Sequence, residues 1–96
     1  SNVLKRLKET CENPDYESAQ RIFREGISQG VFRDDLDVSI LSRTFSSMGK
    51  IAGDMTLFPP EKFMQRDLIK NIFVNYLRGI STPEGIKIID SLELEI

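Results

Sequence analysis

Very few residues in this sequence carry side chains suited to catalysis or to metal binding. Histidine is missing, and with it the commonest general base and transition-metal ligand. Cys11 is the single cysteine, so neither an intrachain disulfide nor a thiolate zinc site can form, and we expect a small buried apolar residue there. Asp34, Asp35 and Asp37 crowd one turn but lack the spacing of a calcium loop. The sequence therefore predicts a protein that is not an enzyme and that uses no metal or cofactor.

The length and the net charge of the chain further limit the class of protein it can belong to. With 96 residues the chain can bury one modest core, so we predict a single domain over residues 3–96 and interpret Ser1–Asn2 as a tag-cleavage scar. A net charge of -2 matches the phosphates of nucleic acid poorly. No run approaches the ~20 apolar residues that span a bilayer, and none resembles a secretory signal. We expect a cytoplasmic protein that by itself contacts neither DNA nor membrane.

Apolar residues at helical spacing predict four helices preceded by the end of another, and no strand. The incomplete helix carries Val3, Leu4, Leu7 and Cys11, and we expect it to begin before the fragment. The others are predicted over residues 15–29, 38–57, 61–78 and 83–92. The positions expected to point inward are Ala19, Ile22, Phe23, Gly26 and Ile27 in the first of these and Ile86, Ile89 and Leu92 in the last.

Turn residues separate the first three segments. The run Asn13-Pro14-Asp15 breaks the first helix and offers capping groups to the second. Gly30 stands where a left-handed residue ends a helix. Asp35 or Asp37 can cap the third segment, whose positive end also suits a carboxylate.

A firmer stop is predicted between the last two segments. Gly79 can supply a left-handed turn that ends the fourth segment. Ser81 or Thr82 can then cap the last helix, with Pro83 at its first position. Ser81 and Glu84 also have the spacing of a capping box.

The third segment carries two parallel stripes. A heptad-like seam consists of Val38, Leu41, Phe45, Met48, Ala52 and Met55. Beside it runs a row of small residues, Ser39, Ser42, Ser46, Gly49 and Gly53. Small side chains let a second backbone approach closely, and seam burial alone does not offset the entropy of ordering the segment.

These stripes predict an all-α antiparallel helical bundle in which the two long helices form a dimeric four-helix bundle. The side chains expected in the homodimer interface are Ser42, Ser46, Gly49, Gly53, Ile69, Ile72, Phe73 and Tyr76. The alternative is a monomeric bundle whose glycines merely lie near a turn.

Two motifs, EGISQGVFRDDLD at residues 25–37 and YLRGISTPEG at residues 76–85, resemble the C-terminal regulatory half of TetR/AcrR-type transcriptional regulators. The likeness covers roughly residues 16 to 90. It implies a one-component regulator, in most cases a repressor, that dimerises through its last two long helices and binds a small apolar effector. The family's DNA-contacting helix-turn-helix has no counterpart in this chain, so DNA would be bound only through a missing N-terminal domain.

Five residues are candidates for the lining of an effector pocket: Phe23, Ile27, Phe45, Met48 and Met55. Methionine suits that role because it adapts to the shape of a ligand. Plain core packing is the alternative for each of the five. Two other functions stay open at this point, a stand-alone helical adaptor that binds a partner helix and a small carrier of hydrophobic molecules.

Overall fold

A computed structural model describes residues 2–12 and 15–93 of the chain. The described residues form five helices: α1 (Asn2–Glu12), α2 (Tyr16–Ser28), α3 (Val38–Ala52), α4 (residues 65–80) and α5 (Pro83–Glu93). Helix α4 is continuous but changes type, being α-helical at Gln65–Leu68, π-helical at Ile69–Val74 and α-helical again at Asn75–Ile80. The all-helical prediction is confirmed for these residues. Asn13 and Pro14, and the side chains of Cys11 and Leu92, lie outside the described part of the chain.

Aspartates begin α2 and α3, as their positions in the sequence predict. The Asp15 carboxylate accepts a hydrogen bond from the amide of Glu17 at 3.1 Å. The Asp37 carboxylate accepts one from the amide of Ile40 at 3.1 Å, so Asp37 and not Asp35 is the cap. Gly30 ends α2 with φ of 76°, the left-handed value expected of it.

Helix α3 is shorter than predicted, because it ends at Ala52 and not at Leu57. Asp54 is the physical reason. Its side chain accepts hydrogen bonds from the amides of Thr56 at 2.9 Å and Leu57 at 3.2 Å, which offers the backbone a turn in place of a further helical turn. The connection between α3 and α4 therefore spans residues 53–64.

Helix α4 begins later and ends later than predicted. Backbone amides of Lys62 and Phe63 donate to the carbonyl of Pro59, and this turn delays the helix to Gln65. No feature of the local sequence predicts the π-helical stretch at Ile69–Val74. Such stretches widen a helix and change which side chains share a face.

The α2–α3 turn and the α4–α5 turn, which carry the two motifs, lie against each other. Phe32 and Ser81 form an isolated antiparallel bridge. The amide of Arg33 donates to the carbonyl of Ile80 at 2.9 Å, and the amide of Thr82 donates to the carbonyl of Val31 at 3.0 Å. We call this contact the turn junction, made by residues 30–33 and 79–82 with Gly85.

The end of α4 and the cap of α5 differ from the prediction. Gly79 is not left-handed, and the helix continues to Ile80; Ser81 then leaves it in an extended conformation in order to pair with Phe32. Ser81 is not a cap, since its hydroxyl donates to the carbonyl of Leu77 at 2.6 Å. Thr82 is the cap, and its hydroxyl oxygen accepts from the amide of Gly85 at 3.1 Å.

Four phenylalanines run through the core as a row of touching rings. Phe32, Phe23, Phe45 and Phe73 follow one another with ring centroids 5.5, 5.6 and 5.5 Å apart. They come from the α2–α3 turn, α2, α3 and α4, so the row joins all these elements. The buried apolar residues around them include most of the predicted inward positions: Val3, Leu4, Leu7, Ala19, Ile22, Leu41 and Ile89.

Candidate functional site

The row of small residues on α3 is largely occupied by the chain itself. Ser42 is fully buried, and its hydroxyl donates to the carbonyl of Val38 at 2.6 Å. The Ser46 hydroxyl oxygen is also buried and has no hydrogen-bond partner among the described residues. Gly49 is half-buried and only Gly53 is exposed. Ser42 therefore has no accessible surface in the single chain, unlike a residue that would contact a partner.

Helix α2 is the neighbour on the side of the small-residue row. Its extensive packing against α3 is the main helix pairing of the described chain. The guanidinium of Arg43, beside Ser42, lies 4.9 Å from the centre of the Tyr16 ring of α2. Phe45 also contacts Phe23 of α2. Ser42 lies between Arg43 and Phe45 around the circumference of α3, so α2 packs on the Ser42 side of the helix.

The predicted interface residues of α4 likewise include both buried and partly exposed side chains. Phe73 is buried in the ring row, so little of its surface is accessible in the single chain. Ile69, Ile72 and Tyr76 are half-buried at the edge of the core. Tyr76 shares a hydrogen bond with the side chain of Thr44, which ties this edge of α4 to the exposed side of α3.

Two isoleucines on the exposed side of α3 belong to neither of the predicted stripes. Ile40 is 64% exposed and Ile51 is 47% exposed. Spacings of 4 and 7 residues place Ile40, Thr44 and Ile51 on one side of the helix. Together with the half-buried residues of α4 they make one apolar surface, which we call the α3/α4 face: Ile40, Thr44, Ile51, Ile69, Ile72 and Tyr76.

The spacing of Ile40 and Ile51 was a signal that could have found them. Both are large apolar residues that fit neither the seam nor the row of small residues. A third stripe on a helix of this length leaves less than half of its circumference polar. Such a helix needs cover on more than one side.

Tyr76 carries the one marked electrostatic feature of the α3/α4 face. Partial burial raises the pKa of its phenol, because the charged form would lose contact with water; the hydrogen bond with Thr44 opposes this effect. The phenol is thus neutral over the physiological range. A neutral amphipathic ring at the edge of an apolar surface is well suited to a protein–protein contact.

The five predicted pocket residues lie in different surroundings. Phe23 and Phe45 are buried in the ring row, which is the plain core packing considered as the alternative. Ile27 and Met48 are half-buried at the edge of the core. Met55 is 72% exposed in the connection, because α3 ends before reaching it.

A cleft of about 350 Å³ lies instead between α1 and the start of α2. Its lining is mostly polar: Arg6, Glu9, Thr10, Asp15, Ser18, Arg21 and Ile22. Arg6 is paired with Glu25 at 2.5 Å. A hydrogen bond from Ser18, with a second from the amide of Glu17, holds the pKa of Asp15 below its ordinary value. Arg6 and Asp15 thus already have partners within the chain, and none of the predicted effector residues lines the cleft.

The described chain is thus an all-helical domain with a filled aromatic core and a partly open apolar face. Comparisons with protein-family models, with curated proteins and with solved structures give no match. The likeness to TetR/AcrR regulators therefore stays a prediction. None of the described helices combines the length and the apolar character required to cross a bilayer. Within the same residues, no three acidic or cysteine side chains gather closely enough to hold a metal ion.

Proposed function

We propose that this chain is the dimerisation and effector-binding domain of a one-component transcriptional regulator of the TetR/AcrR type. It would act in the cytoplasm, and a separate helix-turn-helix domain would contact the operator. The observation that carries the proposal is the α3/α4 face, since it lies on the two long helices that the resemblance assigns to the dimer. Ile40 and Ile51 of that face are large, apolar and exposed in the single chain.

The proposed interface differs in position from the row of small residues. Ile40 and Ile51 of α3, with Ile72 and Tyr76 of α4, would meet the same residues of a second copy in a four-helix bundle. Burying apolar surface of this kind contributes about 25 cal/mol for each Å² removed from water. Thr44 would stay satisfied, because its side chain is hydrogen-bonded to Tyr76 within the chain.

The regulatory half of the proposal is a population shift. An apolar effector would bind beside Ile27 or Met48, which are half-buried at the edge of the core. A ligand that binds one arrangement of the dimer better than another changes the population of the two. The separation of the two DNA-reading domains would change with it, and so would the affinity for the operator.

Sedimentation velocity on the wild-type chain and on an Ile40→Glu/Ile51→Glu variant tests the interface. The wild type should sediment as a dimer at micromolar concentration. The variant should be a monomer, because two carboxylates would be buried without partners. Its helix content by circular dichroism should match that of the wild type, since both side chains are exposed in the single chain.

Arg24→Glu is the matched control. Arg24 is exposed on α2 and lies outside the α3/α4 face, and the substitution changes the net charge as much as the double variant does. The control should remain a dimer. A wild-type chain that stays monomeric at high micromolar concentration would remove the dimer proposal and favour the stand-alone adaptor, which would place a partner helix on the same face.

A further inference from the structure

The connection between α3 and α4 exposes a second group of large apolar side chains. Met55, Leu57, Phe63 and Met64 are all exposed, with Met55 at 72% and Met64 at 66%. We call these four residues the connection patch. It lies in the sequence between the end of α3, where Ile51 stands, and the first turn of α4.

The connection patch is held in shape by the chain itself. The Asp54 carboxylate accepts two backbone amides, and the carbonyl of Pro59 accepts two more. Phe63 packs edge-on against Phe58 with ring centroids 5.3 Å apart. A surface that is already ordered loses little conformational entropy when it binds.

A stable dimer needs more buried area than the α3/α4 face alone can supply. This shortfall indicates that a second copy of the chain covers the connection patch. A half-exposed large apolar side chain offers on the order of 100 Å² of accessible surface, whereas a standard interface takes roughly 800 Å² from each partner. The α3/α4 face has two exposed isoleucines and three half-buried large side chains, which together amount to about half of that requirement. The four side chains of the connection patch supply the remainder.

We infer that the connection patch of one chain packs on the Ile40 end of the α3/α4 face of a second copy, in an antiparallel arrangement of the two α3 helices. This inference rests on the proposed dimer. Ile40 and the patch lie at opposite ends of α3, about 18 Å apart at 1.5 Å per residue. A two-fold axis across the helices brings each end against the other end of the partner.

Tyr16 favours the antiparallel arrangement over the parallel one. Its ring is exposed on α2 beside Arg43, near the Ile40 end of α3. In an antiparallel dimer the partner's connection patch, which follows the far end of its own α3, reaches this end of the helix and could cover the ring. In a parallel dimer the two patches would meet each other at the opposite end of α3, away from Tyr16.

Disulfide capture tests the arrangement. Replacing Cys11 by serine leaves no other thiol in the chain, so Ile40→Cys and Met64→Cys can be introduced in separate chains. On mixing and mild oxidation, the pair should form a mixed disulfide in preference to either self-pair. Selective formation of the Met64→Cys self-pair would establish the parallel arrangement and overturn the inference.

A Met55→Glu/Met64→Glu variant separates this inference from the proposed dimer. Its dimer dissociation constant should rise by about tenfold or more, because each buried anchor is worth about 1 kcal/mol or more at an interface. A dissociation constant equal to that of the wild type would refute the role of the patch and leave the α3/α4 dimer standing. A monomeric wild type would refute both.

Discussion

The turn junction and the α3/α4 face both contain apolar side chains, but the chain completes one and leaves the other open. At the junction, Phe32 is buried against Phe23 and the backbone of Thr82 is paired with Val31. At the face, Ile40 and Ile51 project from a helix whose other side is packed. The junction therefore gives both motifs a structural role within the chain, and the face is the region where we propose that a partner binds.

This difference changes what the two motifs mean. Each contains a glycine that the turn junction requires: a Cβ on Gly26 would lie 2.4 Å from the Phe32 ring, and one on Gly85 would lie 2.0 Å from the carbonyl oxygen of Val31. The motifs thus hold α2 and α4 together at one end. They support the proposed function only through the fold that they specify.

Gly79 and Gly85 lie on either side of the α4–α5 turn. Substitutions at these two glycines give the largest expected effects and test whether the turn junction is tightly packed. Gly85→Ala should destabilise the chain by about 3 kcal/mol, since the new methyl group collides with backbone that has no room to move. Gly79→Ala should instead stabilise it by about 0.5–1 kcal/mol, because the backbone is helical and, apart from the adjacent residues and the nearby backbone of its own helix, nothing lies within 4 Å of the added Cβ. Urea denaturation monitored by circular dichroism measures both. Equal effects at the two positions would mean that the junction is not tightly packed.

Substituting Thr82, also in the turn junction, should change the stability of the chain by a smaller amount. Its hydroxyl oxygen accepts from the amide of Gly85 and donates to the carbonyl of Gly30 at 2.5 Å, so it caps α5 and joins the two turns. Thr82→Val keeps the shape and removes both bonds, and the expected loss is about 1–2 kcal/mol in the same urea assay.

Thr82→Ser is the control for that loss. Serine retains the hydroxyl and should recover most of the stability. If the valine and serine variants are equally stable, the side-chain bonds contribute nothing and the backbone pairing alone holds the junction.

The parts of the fold that were predicted correctly depend on short-range signals. Asp15, Asp37 and Gly30 act within four residues of their own position, so their caps and turn can be read from the sequence. The end of α3 was placed wrongly because the side chain of Asp54 competes with the helix. No local pattern in the sequence predicts the π-helical stretch of α4, whose residues contact α3.

The candidate site was harder to predict because it depends on which helix covers which side of α3. The sequence correctly indicated that α3 has more than one packing surface. It could not indicate that α2 would take the side of Ser42 and leave Ile40 open. The direction of each stripe is a long-range property, and it also decided that Phe73 points into the core. The exposure of Met55 has a local cause, because α3 ends before reaching it.

The pKa of Tyr76 offers the finest test of whether the α3/α4 face is closed by a partner. Burial raises it in the folded chain, so the neutral phenol is favoured by folding. This contribution to stability is fully present below the pKa of an unfolded tyrosine, about 10, and is lost as the pH rises through the folded value. Tyr76 therefore predicts a decline in stability at alkaline pH that Tyr76→Phe should reduce.

Dimerisation should raise the pKa of Tyr76 further, because a partner would remove more water from the ring. Tyrosinate absorbance can be titrated in a Tyr16→Phe background, which leaves Tyr76 as the single tyrosine. The titration midpoint should be higher in that background than in the same background carrying Ile40→Glu/Ile51→Glu. Because the introduced glutamates would themselves raise the pKa by like-charge repulsion, the monomer should also be measured in high salt, which screens exposed charges. If the two midpoints coincide in high salt, Tyr76 keeps the same environment in both proteins, and the partner must lie elsewhere.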